Sequence, residues 1–112
     1  MPNAIVNTDG SSNAIFLSVT EELGHHIQTI IRINNVLFAD IEGDIIDLPI
    51  GNNVMPSGTA VAITTTAVKI SPAPNSVAVF KLNGVQELYE DRSKRLFNGD
   101  PIVTHHMTYD FL

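Results

Sequence analysis

The 112-residue chain contains no cysteine and no tryptophan, and aromatic residues make up only 6% of it. Without a thiol there can be no disulfide framework, thiolate zinc site, iron–sulfur cluster or cysteine nucleophile. With two Tyr and five Phe as the whole aromatic complement, stacking platforms for sugar rings or bases are scarce. Charge is sparse too, at 16% against about 25% in an average soluble chain. Basic residues are the rarer sign, six against twelve acids, for a formal net charge of -6. A nucleic-acid binder neutralises phosphates with a basic stripe. The only short cluster here is Arg92, Lys94 and Arg95, beside Glu90 and Asp91, so nucleic acid is not an expected partner. No apolar run approaches the roughly 20 residues of a membrane-spanning helix. The opening MPNAIVNTDGSSN lacks the basic and apolar regions of a secretory signal peptide, which makes the cytoplasm the default compartment.

What is abundant is branched and apolar. Thirteen Ile, ten Val and nine Thr have stiff side chains that suit a pleated sheet better than a helix. Turn-forming clusters separate the apolar segments: Thr8-Asp9-Gly10-Ser11-Ser12, Asn34-Asn35, Gly51-Asn52-Asn53, Met55-Pro56-Ser57-Gly58, Ser71-Pro72-Ala73-Pro74-Asn75, Asn83-Gly84 and Asn98-Gly99-Asp100-Pro101. Short strands at that spacing predict an all-β chain: residues 1–112 as one antiparallel β-sandwich of about seven to nine strands, with jelly-roll and Ig-like topologies both open. The predicted core is Ile15, Leu17, Ile27, Ile31, Ile33, Phe38, Ile63, Val68, Val79, Phe80, Val103, Met107, Tyr109 and Phe111.

Period-2 alternation assigns faces. In the segment from Ile102 to Phe111, Val103, His105, Met107, Tyr109 and Phe111 share one side. Between Thr59 and Ile70 the apolar parity changes from Val61 and Ile63 to Val68 and Ile70, which predicts a bulge or bend near Thr64-Thr65-Thr66. Segments 36–41 and 45–50 form a hairpin across Glu42-Gly43-Asp44, or one bent strand. Two readings compete over 85–97. Val85, Leu88, Tyr89 and Leu96, with the pairs Glu90/Lys94 and Asp91/Arg95, fit a short helix near 86–96. Asn83-Gly84 instead fits the turn of a hairpin, with Phe80 then opposing Glu87.

Two constellations carry potential chemistry. The His doublets His25-His26 and His105-His106 lie in predicted strands. If those strands were neighbours, His25 and His105 could offer imidazole nitrogens to zinc or another transition metal, with a carboxylate such as Asp110. Because a doublet points its rings to opposite faces, only one ring of each pair can serve. The second is the acidic run Asp40, Glu42, Asp44 and Asp47 around Gly43, a calcium candidate by its oxygen ligands. It lacks the EF-hand pattern and equally fits a solvated tip whose acids discourage edge pairing. Asn52, Asn53 and Asn75 could hydrogen-bond a sugar, but they also suit turns. No nucleophile elbow, Walker loop, dinucleotide fingerprint or zinc-protease motif occurs.

The leading expectation is therefore a non-catalytic binding or self-assembly module, without cofactor, forming a homo-oligomer or engaging a protein partner. Its basis is the low charge, the apolar Ile30 among polar neighbours, and the apolar end Phe111-Leu112, which predicts a docked terminus. The alternative is a calcium- or transition-metal-dependent ligand-binding domain, with carbohydrate as one ligand class.

Overall fold

A computed structural model describes residues 3–112. The chain forms nine strands and, among the described residues, no helix. They are β1 (Asn3–Val6), β2 (Ala14–Glu21), β3 (His26–Ile33), β4 (Val36–Glu42), β5 (Ile45–Asn52), β6 (Ala60–Val68), β7 (Asn75–Asn83), β8 (Tyr89–Leu96) and β9 (Ile102–Phe111). Two sheets face each other, one ordered β1-β9-β6-β3-β4 and the other β5-β2-β7-β8. All pairings are antiparallel except β1 with β9, which is parallel. No helix of the described chain is long and apolar enough to cross a membrane.

Alternating side chains fill the space between the sheets. Ile15, Leu17 and Val19 of β2 meet Ile27 and Ile31 of β3, Val61 and Ile63 of β6, Phe80 and Leu82 of β7, and Met107, Tyr109 and Phe111 of β9 in one buried cluster. Burying a side chain of this size contributes about 1.5–3 kcal/mol. Most of the predicted core is buried here, while Ile33, Val68 and Val103 are half-buried. Phe38 is the departure, 45% exposed. It is the extra residue of a bulge in β4, because Ile31 pairs with Ala39 while Arg32 pairs with Leu37. As β4 ends its sheet, the displaced ring lies at an open edge and stays partly exposed.

The predicted break in β6 does not occur. Its register against both β3 and β9 is continuous over the strand. Thr65 occupies an inward position and is fully buried, so the apolar alternation pauses at a polar core residue rather than at a bend. The Glu42-Gly43-Asp44 turn makes no hairpin: β4 and β5 belong to different sheets, and Gly43, at φ 83, lets the chain cross between them. Asn34-Asn35 does close a hairpin, with φ 50 and 67, the doubly left-handed geometry of a type I′ turn.

Within segment 85–97, Tyr89–Leu96 form a strand in a hairpin and there is no helix, and the register sets Phe80 opposite Asp91 rather than Glu87. Asn83-Gly84 opens a longer loop that returns at Tyr89. A Cβ on Gly84 would collide with the carbonyl oxygen of Ala14, and its φ of 93 is likewise suited to glycine. Asn53, only 2% exposed, fastens this loop. Its side chain donates to the carbonyls of Gly84 (2.7 Å) and Asn13 (2.9 Å) and accepts from the amide of Asp9 (3.0 Å).

Candidate functional site

The sequence candidates are placed apart. Among the described residues no three His, Asp or Glu side chains gather as a metal site would require. β3 and β9 are separated by β6, so the strands of the two His doublets are not neighbours. His25 donates from Nε2 to the carbonyl of Asn75 (2.9 Å), and its Nδ1 accepts from the amides of Ile70 (3.2 Å) and Ser71 (3.4 Å). Its ring meets Phe97 edge-on, with centroids 4.7 Å apart. Of the acidic run, Asp40 accepts from Gln28 (2.9 Å) and Asp44 from the amide of Glu21 (3.2 Å), while the Asp47 amide donates to Ser18 Oγ (2.9 Å) and its carboxylate accepts from that hydroxyl at 3.5 Å. Glu42 is exposed. Asp40 and Glu42 stand on one sheet and Asp47 on the other.

His105 belongs to a polar stratum across the core that sequence reading did not assemble. Register aligns Ile41, Thr29, Thr65 and His105 across one sheet, and Glu21, Ala78 and Ser93 across the other. Thr29 and Thr65 share a hydroxyl hydrogen bond of 2.9 Å. The remaining bonds have a fixed sense. Glu21 is an acceptor only, taking the hydroxyl of Ser76 (2.8 Å) and the amides of Leu23, His25 and Val77. Ser76 therefore accepts from His105 Nε2 (3.0 Å), and His105 Nδ1 accepts from Ser93 (2.8 Å). Both ring nitrogens are consumed within the protein.

The electrostatics follow from this packing. Burial, reinforced by the Arg95 guanidinium, lowers the His105 pKa from 6.5 to about 4, although Glu21 pulls the other way. Burial pushes the Glu21 carboxyl up, but its backbone and serine donors outweigh that and hold it below the usual carboxylate value. Tyr109 has the opposite fate: its buried hydroxyl has no hydrogen-bond partner among the described residues, and burial together with the Asp91 carboxylate raises its pKa.

A cleft of about 500 Å³ opens at the His26 end of the sandwich, between Lys69, Pro72 and Pro74 on one side and Leu96 to Pro101 on the other. None of the stratum's side chains lines it. The basic trio is divided as well: Arg92 pairs with Glu22 and Glu90, and alternation along β8 sends Arg95 to the other face.

The opposite end carries the most exposed apolar strand. Four strands end the two sheets, β1, β4, β5 and β8, and an edge strand offers unpaired N–H and C=O groups to another chain. Three are protected against this. β1 has four described residues; β5 contains Pro49, a left-handed Asp47 and two register irregularities; β8 carries Glu90, Asp91, Arg92, Lys94 and Arg95. β4 runs for seven residues without proline. Its Val36, Leu37 and Phe38 are consecutive and exposed by 68%, 61% and 45%. Only the bulge and the acids Asp40 and Glu42 interrupt it.

Compared with known protein families, with curated proteins and with solved structures, the chain shows no match in any of the three.

Proposed function

We propose that this protein is a non-catalytic binding and assembly module that engages another polypeptide through the β4 edge. The observation that carries this reading is the coincidence on one strand of an open backbone edge with three consecutive exposed apolar residues, Val36, Leu37 and Phe38. Strand addition uses main-chain hydrogen bonds for affinity and side-chain contacts for specificity, and β4 offers both. The apolar triplet follows the Asn34-Asn35 turn and is already extended as a strand, which lowers the ordering cost of binding.

Amide hydrogen exchange over a protein concentration series tests the reading. The outward amides of β4 should become protected as association proceeds, while those of β8 and β1 do not. Association that protects another edge and leaves β4 exchanging freely would overturn it.

A further inference from the structure

We infer that the strand received by β4 is the β4 of a second copy, paired antiparallel about a two-fold axis at Ala39. This rests on the proposed role of the β4 edge and adds the identity and register of its partner.

Charge is distributed unevenly along this edge. Arg32, the sole cation of residues 1–56, is exposed on β3 and paired in register with Leu37. It has no ion-pair partner among the described residues. The acids Asp40 and Glu42 lie toward the other end of β4, opposite Ile30 and Gln28. One end of the edge is thus apolar and cationic and the other acidic. A parallel second copy would set acids beside acids. A two-fold, antiparallel copy sets each acidic end against the other molecule's Arg32 and apolar end, which is the self-complementarity that an isologous interface requires.

The bulge selects the register. With Ala39 facing its own copy, and Phe38 left as the extra residue of each strand, Leu37 faces Asp40 of the second copy and Val36 faces its Ile41. Faces then agree: Leu37 and Asp40 lie on the outer face with Arg32 and Ile30, whereas Val36 and Ile41 align with Ile33 and the buried Thr29. Arg32, Leu37 and the second copy's Asp40 form one transverse row. Moving the axis to Asp40 or Ile41 would oppose Asp40 to itself or to Glu42, and moving it to Phe38 would oppose the two bulges.

The chain has no cysteine, so Ala39→Cys introduces a unique thiol. In an antiparallel pair, directly opposed Cα atoms are about 4.5–5.5 Å apart, within disulfide reach. Diamide oxidation of the full chain should give a covalent dimer with Ala39→Cys and none with Lys94→Cys on β8. Sedimentation supplies a second readout that needs no thiol. Arg32→Glu and Asp40→Lys, both at exposed positions, should each weaken dimerisation about fivefold or more, and their combination should restore it.

A protein that stays monomeric at millimolar concentration overturns the second-copy proposal and leaves β4 to a different strand. A dimer sensitive to Leu37→Lys, but without the Ala39→Cys disulfide or the charge-swap rescue, overturns the register alone. A dimer indifferent to Leu37→Lys overturns both this inference and the β4 reading beneath it.

Discussion

His105 shows how one buried residue couples this fold to pH. Its folded pKa, about 4, lies below the ordinary 6.5, so between these values the unfolded chain takes up the proton first. Stability should fall as pH is lowered from about 6.5 towards 4, by up to about 1.4 kcal/mol per unit for one proton. Glu21, held below its usual value, adds a further loss as the pH drops through its own titration. Urea unfolding at pH 7, 5.5 and 4.5 measures the slope, and His105→Gln should flatten it; an unchanged slope would remove His105 as its source. Tyr109 makes the converse case. Its buried hydroxyl has no partner among the described residues, so Tyr109→Phe discards a desolvated group at no loss of bonding. Thermal unfolding should show the variant equal to or more stable than the parent, by up to about 1 kcal/mol. A loss above that size would reveal a bonded hydroxyl.

At the scale of strands, the parts read well from sequence were those with long, unbroken alternation. β9 is ten residues in which inward and outward positions separate cleanly, and its faces followed from period 2 alone. β8 was ambiguous for a physical reason: an i,i+4 spacing is even, so Glu90 and Lys94 share a face on a strand as they do on a helix. The Glu42-Gly43-Asp44 segment, expected as a hairpin or one bent strand, is instead a crossing between sheets; a hairpin and such a crossing use the same turn residues. Phe38 was misplaced because alternation predicts orientation only while register holds, and the β4 bulge breaks it. The polar stratum was illegible since its members, Glu21, Thr29, Thr65, Ser76, Ser93 and His105, come from six strands. Within it, the Thr29–Thr65 pair makes a sharp prediction. Thr65→Val leaves the Thr29 hydroxyl buried and unpaired and should cost about 1–3 kcal/mol, whereas removing both hydroxyls as Thr29→Val with Thr65→Val should recover much of that. Chemical denaturation of the single and double variants reads the difference.

At the scale of the whole molecule, the two sheets are closed on each other by residues distant in sequence, with β9 held between β1 and β6. Of the apolar end expected to dock, Phe111 packs on the protein's own sheet, whereas Leu112 is exposed. Tyr109 and Phe111 are buried, and the Phe111 amide and carbonyl bond to Thr59 and Gly58. Deleting residues 109–112 should therefore abolish cooperative unfolding in a thermal melt, and a truncated chain that melts like the parent would contradict this arrangement. With the interior so committed, the proposed function rests on the β4 edge. Sedimentation velocity of the parent chain and of Leu37→Lys over a range of concentrations tests it directly. Concentration-dependent association is expected of the parent and its loss in the variant, with equal thermal stability at dilutions where both are monomeric because Leu37 is exposed. Association of equal strength in both proteins would contradict the account.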